Sequence, residues 1–327
     1  MNEFFKNKKV MVTGGTGSLG RVLVDKLKKL DAQPIVYSRD EGKQALFFPG
    51  DSGVTKIIGD VRDYQKLKDS MTLHKPDYVI HTAALKRLED MEIYPDECIK
   101  TNINGSENVA RAALEAGVSK CMLVSTDKAC KPVNVYGASK FIAERVFTNF
   151  DYNSKSTIFS SVRYGNVIAS RGSFIPLWKS IIEDNGTIKI TSMLCTRFLF
   201  TLFKAVDTVF NSLKNAQGGE VFVPKIPSYT MATVVEAVKS ICGKENINSE
   251  IVGMRPGEKF HEHMVAKTEL PFTYEVNDDL LVILPQYTNR THGFSNKYSG
   301  DELRSDLDAS TDHKKLEEDI IAGGINK

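Results

Sequence analysis

The run Val10-Met11-Val12-Thr13-Gly14-Gly15-Thr16-Gly17-Ser18-Leu19-Gly20 decides the fold. A short, mostly apolar segment ends on a cluster of glycines, and an amphipathic stretch follows with apolar residues at Leu19, Val22, Val24, Leu27 and Leu30. A strand over 9–13 therefore leads through a tight turn into a helix over 18–30. Glycines at such a turn let the backbone approach a pyrophosphate, and the helix N-terminus presents N–H groups at the positive end of its dipole. A bare turn would use the same glycines, but the strand–turn–helix context at the chain start favours a dinucleotide. Gly14, Thr16, Gly17, Ser18, Leu19 and Gly20 are the residues expected to line it.

Downstream, short apolar runs alternate with amphipathic stretches. Strands are expected at 34–38, 55–59, 78–81, 121–125 and 157–164, and helices at 63–71, 96–116 and 136–150. This alternation predicts an α/β protein with a Rossmann-type, doubly wound parallel sheet. After Gly165 the rhythm loosens. Helices are expected at 174–184, 201–213 and 231–243, strands at 187–190, 220–223 and 250–252, with Pro224, Pro227, Pro256 and Pro271 as breaks. The expected division is a dinucleotide-binding core over 1–165, to which later segments return, a smaller substrate-binding lobe over 166–288, and a polar tail over 289–327 with a charged helix near 310–321.

Composition narrows the function classes. The 327 residues are 41% hydrophobic and 26% charged, which suits a folded globular chain. Forty-three basic residues nearly balance 41 acidic ones, so no nucleic-acid partner is expected. Five widely spaced cysteines form no C-x-x-C or Cys/His cluster, which argues against a metal site or a disulfide framework. No apolar run is long enough for a membrane span, and residues 1–9 lack the apolar segment of a signal peptide, so a cytoplasmic location is expected.

The end of the second strand bears on which dinucleotide binds. A carboxylate there accepts the ribose 2′-OH of NAD. Here Tyr37-Ser38-Arg39 occupies the place and Lys43 follows. A hydroxyl and two cations suit a 2′-phosphate, so NADP is expected, although Asp40 and Glu41 lie close enough in sequence to compete. Asp60 and Val61, after the third strand, are expected beside the adenine.

Two further clusters carry chemistry. Tyr136-Gly137-Ala138-Ser139-Lys140 sets a phenol and an ammonium one helical turn apart. The cation is expected to draw the Tyr136 pKa towards neutrality, making it an acid–base for a sugar hydroxyl. Thr126-Asp127-Lys128 closes the strand over 121–125, at the strand end where ligands of such sheets bind. Taken singly, these residues would serve equally as packing, a loop cap and a surface lysine.

Together with the glycine turn, these clusters resemble the extended short-chain dehydrogenase/reductases. Within that family, several blocks resemble the inverting UDP-N-acetylglucosamine 4,6-dehydratases: Ser38-Arg39-Asp40-Glu41, His81-Thr82-Ala83-Ala84-Leu85-Lys86, Lys100-Thr101-Asn102, Ser125-Thr126-Asp127-Lys128, Val162-Arg163-Tyr164-Gly165-Asn166-Val167, Ser170-Arg171-Gly172-Ser173 and Arg255-Pro256-Gly257-Glu258-Lys259. The resemblance implies a tightly held NADP regenerated in each cycle, a UDP-sugar substrate and a homo-oligomer, a dimer or a ring of dimers, packed through the helices over 96–116 and 136–150. It implies that Tyr136 and Lys140 deprotonate the C4 hydroxyl, Lys128 removes the C5 proton, and Asp127 protonates the departing C6 hydroxyl, with Thr126 beside them. Lys86, Asn166, Arg171, Arg197, Arg255 and Glu258 match positions that hold the UDP-sugar, and Lys86, Tyr136 and Lys140 also border the cofactor.

Retaining dehydratases carry Glu at the position of Lys128, and a branch that also epimerises C3 carries Met at that of Tyr136. One block departs from the pattern: an Asp-Pro pair followed by Met-Thr-Arg becomes Thr191-Ser192-Met193-Leu194-Cys195-Thr196-Arg197. Arg197 is kept and the acid and proline are lost. A UDP-sugar 4-epimerase and a catalytically silent NADP-binding protein are the alternatives.

Overall fold

The computed structural model of the protein describes residues 1–168, 170, 172–244 and 246–325. The opening run forms β1 (Lys9–Thr13), whose residues Val10 to Thr13 are buried. It pairs in parallel with β2 (Gln33–Ser38) on one side and β4 (Tyr78–His81) on the other. Strands covered on both faces read as continuous apolar runs, which is why these were visible without alternation. Outward from this pair lie β3 (Thr55–Ile58), β5 (Lys120–Val124), β6 (Ile158–Val162), β7 (Val221–Pro224), β8 (Thr273–Asn277) and β9 (Leu280–Ile283). Among the described residues, these nine strands form one sheet in the order β8-β9-β7-β6-β5-β4-β1-β2-β3.

The order reverses between β1 and β4, the point where doubly wound sheets open a ligand crevice at their C-terminal strand ends. Helix α1 (Ser18–Lys29) buries Leu23, Val24 and Leu27 against one face. On the other face α3 (Tyr64–His74), α4 (Gly105–Glu115) and α5 (Val135–Asn153) supply Leu67, Met71, Val109, Ala113, Ala143 and Phe147. The seven residues of α2 (Glu41–Phe47), capped by Asp40, were not expected from the sequence.

The helix expected over 96–116 is not regular. It runs as Pro95–Cys98, a π-helical turn Ile99–Asn104, and then α4. Such a turn re-aims side chains, and Asn102 here clamps the loop after β4: its Oδ1 accepts from Leu85 N at 2.8 Å and its Nδ2 donates to Leu85 O at 2.9 Å. The helix expected over 201–213, grouped with the lobe, is α6 (Leu202–Asn215), and it packs Val206, Val209, Phe210 and Leu213 on the large sheet instead.

The lobe has its own core, in which Trp178, Ile188, Tyr229, Val234 and Val238 meet Leu316 and Ile320 of the C-terminal helix His313–Ala322. A second sheet sets Thr196–Phe200 between Ser228–Thr230 and Asn166–Val167. No helix among the described residues is long and apolar enough to cross a membrane.

Candidate active site

The glycine turn is built for close backbone approach. A Cβ on Gly20 would stand 2.5 Å from Gly14 O and 2.6 Å from Gly15 Cα, so α1 packs onto the turn only because Gly20 has no side chain. The N-cap of α1 is Gly17, and no side chain caps that end. Gly14 to Gly20 thus form a helix N-terminus that fits an anionic pyrophosphate. Thr16 is buried within the turn, while Ser18 and Leu19 open the helix half-buried.

At the end of β2, Ser38 is nearly buried and its Oγ accepts from Gln44 Nε2 at 2.9 Å. Arg39 remains exposed, 3.5 Å from Asp60. Asp60 also takes Arg62 at 2.8 Å, and this pairing holds its carboxyl below the ordinary range although burial works against that. Asp40 does not compete in this arrangement. Its carboxylate caps α2 through Lys43 N at 2.9 Å and pairs with the Lys43 ammonium. Val61 is buried among Tyr37, Leu67 and Val109 and packs against the helices.

The candidate catalytic cluster lies at the C-terminal end of β5. Thr126 Oγ1 donates to Asp127 Oδ1 at 2.9 Å, and Lys128 Nζ stands 3.1 Å from the same oxygen. Helix α5 presses against this loop. Asn134 caps it through Gly137 N at 2.6 Å, and a Cβ on Gly137 would stand 2.3 Å from Lys128 O. Glycine inside Tyr136–Lys140 is therefore what lets the two clusters meet.

The electrostatics differ from the expectation in one respect. Burial pushes the Tyr136 phenol up to about 12, with Lys128 and the Thr126 hydroxyl only partly offsetting it. The anticipated fall towards neutrality does not occur in this arrangement, because desolvation of a phenolate outweighs the nearby charge. Lys140 is buried and drops to about 8 for the same reason, with Glu144 opposing. Lys128 moves the other way. Burial disfavours its charge, but Asp127 and Glu262 outweigh burial and hold it protonated above the ordinary lysine range. Asp127 is raised, chiefly by burial, so its carboxylate takes up a proton more readily than an ordinary one.

The expected substrate residues differ in their surroundings. Asn166 joins the cluster, its Oδ1 3.4 Å from Lys128 Nζ. Arg197 and Glu258 pair at 2.8 Å, with Thr191 Oγ1 donating to the other oxygen of Glu258 at 2.8 Å, so both ends of the departing block are tied to Glu258. The Arg197 guanidinium also donates to Thr196 O and Phe260 O. Arg255 stands apart, exposed and 3.0 Å from Glu89. Lys86 is exposed, yet the protein around it lowers its pKa by desolvation, and no ion pair engages it among the described residues. Arg171 lies outside the described residues.

Sequence reasoning missed Glu262. It lies 2% exposed, with Oε1 3.2 Å from Lys128 Nζ and Oε2 3.6 Å from Lys259 Nζ. Its backbone is pinned from the C-terminal segment, since Glu262 N donates to Ser305 Oγ and Ser305 N to Glu262 O, each at 2.9 Å. The one available signal was a carboxylate three residues beyond Lys259, and nothing in spacing ties that position to Lys128.

The polysaccharide biosynthesis protein family matches residues 10–283. The chain is 41% identical over 282 residues to the inverting UDP-N-acetylglucosamine 4,6-dehydratase of Campylobacter jejuni serotype O:23/36 strain 81-176, covering 83% of this chain and 81% of that protein. It is 39% identical over 275 residues to a UDP-glucose 4-epimerase of Rickettsia prowazekii, covering 81% and 80%. Among solved structures, Pen from Bacillus thuringiensis superposes with a TM-score of 0.88 at 34% identity, over 98% of this chain and 99% of that one. The glycine turn, the reversed strand order and the cluster at the end of β5 all fall inside the matched span, and the chain belongs to the polysaccharide biosynthesis protein family.

Proposed function

We propose that the protein is an NADP-dependent UDP-N-acetylglucosamine 4,6-dehydratase that inverts C5, giving a UDP-2-acetamido-2,6-dideoxy-4-keto-hexose for surface glycan or nonulosonic acid synthesis. The observation that carries this reading is the buried Asp127–Lys128 pair at the end of β5, beside Tyr136. A dehydration needs an acid and a base beyond the Tyr–Lys couple, and this pair supplies both. The similarity to the Campylobacter dehydratase supports the same reading. NADP over NAD is supported by exposed Arg39 and by the engagement of Asp40 as a helix cap.

Gly14 to Gly20 would hold the dinucleotide, which would supply a hydride acceptor for C4 and a hydride donor for C6 of the sugar. The chain's own residues handle protons. Burial holds Tyr136 as the phenol, so it first gives its own proton to Lys140, one turn away on α5 and lowered to about 8, and the phenolate then takes the proton of the C4 hydroxyl. The resulting ketone acidifies C5–H. Lys128 is protonated as it stands, so it first passes a proton to Asp127 across their 3.1 Å contact. That transfer makes a neutral amine and a carboxylic acid together, which is the direction in which burial acts on both groups. Lys128 then takes the C5 proton while the C6–O bond breaks, and Asp127 protonates the leaving hydroxyl to water. Reprotonation of C5 on the opposite face completes the inversion. Arg197, Glu258, Arg255, Arg171, Asn166 and Lys86 are assigned to the UDP-sugar.

The test is purified protein with UDP-N-acetylglucosamine in D2O, followed by proton NMR without added cofactor. A 6-deoxy-4-keto product carrying deuterium at C5 with inverted configuration is expected. The similarity to the rickettsial 4-epimerase favours a second reading, in which a C4 epimer forms and no 4-keto product accumulates.

A further inference from the structure

We propose that Glu262 is a positioning residue for Lys128: it clamps the ammonium together with Asp127 and supplies the counter-charge that makes Lys128 an effective proton acceptor. The catalytic meaning rests on the dehydratase reading; the clamp itself does not.

The geometry has three parts. Lys128 Nζ contacts two buried carboxylates, 3.1 Å from Asp127 Oδ1 and 3.2 Å from Glu262 Oε1, with Asn166 Oδ1 at 3.4 Å. Each carboxylate leaves one buried oxygen, Asp127 Oδ2 and Glu262 Oε2, without a hydrogen-bond partner. A buried acceptor left unsatisfied is costly, and such sites persist where they serve chemistry. Finally, Glu262 is held rigidly. Ser305 fixes its backbone on both sides, and Lys259, which donates to Cys130 O at 2.6 Å, faces its second oxygen.

The charged groups around Lys128 are Asp127, Glu262 and Arg197, and Tyr136 lies within their field. Around Glu262 they are Lys128, Arg197 and Lys259, which outweigh its burial and hold its carboxyl below the ordinary range. Asp127, in contrast, is raised. The two acids therefore differ in kind. Asp127 is the one that takes up a proton from Lys128, and Glu262 is the one that stays ionised. When Lys128 gains a proton from substrate, the ammonium forms against a fixed negative charge, which favours the transfer.

The test uses the full-length protein, wild type, Glu262→Gln and Glu262→Asp. The Lys128 Nζ signal is followed against pH by nitrogen-15 NMR of lysine-labelled protein and assigned by its absence in Lys128→Ala. Loss of an opposite charge at this distance shifts a pKa by about 1–3 units. Glu262→Gln is expected to lower the titration of Lys128 by that amount, and Glu262→Asp to recover most of it. With UDP-N-acetylglucosamine, the acidic limb of kcat/KM moves down with the titration, and C5 deuterium exchange above the limb slows roughly tenfold.

A Gln variant whose Lys128 titrates as in wild type overturns the proposal, as does a limb that stays in place while only the unfolding temperature falls. If Glu262→Gln does not fold, Glu262→Asp decides: a Lys128 titration and limb lowered part of the way support the proposal, and unchanged ones overturn it. Wild-type protein that forms no 4-keto product refutes the dehydratase reading, while the NMR titration still judges the clamp.

Discussion

Replacing Arg163 by Met tests how the catalytic loop is held. Arg163 is fully buried at the end of β6. Its guanidinium donates to Glu144 at 2.7 and 3.1 Å, to Glu269 at 3.0 and 3.1 Å, and to Met264 O at 2.9 Å. Glu144 in turn accepts from Ser125 Oγ at 2.6 Å, immediately before the Thr126-Asp127-Lys128 cluster. Met keeps most of the volume and removes the charge, leaving two carboxylates in the interior. Stranding one partner of a buried ion pair costs about 3–5 kcal/mol. That is a large share of the ~5–15 kcal/mol that holds a typical domain together.

Arg145→Met is the control. Arg145 sits half-exposed, 3.9 Å from the same Glu144, and its pairing is worth under about 1 kcal/mol. The assay is urea unfolding followed by far-ultraviolet circular dichroism. A lower midpoint at unchanged slope is expected for Arg163→Met. The sign of the pH dependence follows from Glu269, whose carboxyl Arg163 holds below the ordinary range against the effect of burial. A depressed carboxylate contributes stability above its unfolded value, about 4.3, which is lost as pH falls through the folded value. Arg163→Met should flatten or reverse that acid slope. A penalty no larger than that of Arg145→Met, or an unaltered acid slope, refutes the reasoning.

Gly20→Ala drives a methyl into the backbone of Gly14 and Gly15, so α1 must lift from the turn; stability should fall by about 1–3 kcal/mol and purified protein should lose its nicotinamide absorbance. Arg39→Ala removes the exposed cation at the end of β2, and NADP affinity should drop about tenfold or more with NAD affinity little changed, as measured by fluorescence titration of the stripped protein. Lys128→Ala should abolish C5 deuterium exchange while the cofactor stays bound; normal exchange removes Lys128 from the mechanism. The chain exposes Ile93, Tyr94, Ile99, Phe141 and Ile142 on and just before the helices expected to pair, so light scattering at working concentration should give a dimer or a multiple of one, and a monomer rejects the pairing.

The sequence was most legible where one physical signal acted alone. Tyr78–His81 stands where its apolar run placed it and Thr187–Ile190 where its alternation did, and the glycine turn gave β1 and α1 to within a residue. It was least legible where contact between distant segments decides. Leu280–Ile283 is a short apolar run that pairs with its sequence neighbour Thr273–Asn277 and with the distant Val221–Pro224, and nothing local announces the second partner. The π-helical turn at Ile99–Asn104 answers a bond to Leu85, and Glu262 meets Lys128 across a chain separation that no periodicity spans. Tyr136 was found by motif, but its pKa direction depends on burial, which the motif does not report.

The placement of β7, β8 and β9 also bears on how the protein is made. As the chain leaves the ribosome, β6 is complete long before Val221 appears, and its outer edge then carries unpaired backbone groups. Such an edge recruits other strands, including those of a neighbouring nascent chain. The emerging first half is thus an intermediate with an open flank, closed only when the last third of the sequence arrives. Expression should accordingly be more sensitive to truncation near residue 220 than to changes of similar size in the N-terminal helices, and cold, slow synthesis or an attending chaperone should raise the soluble yield.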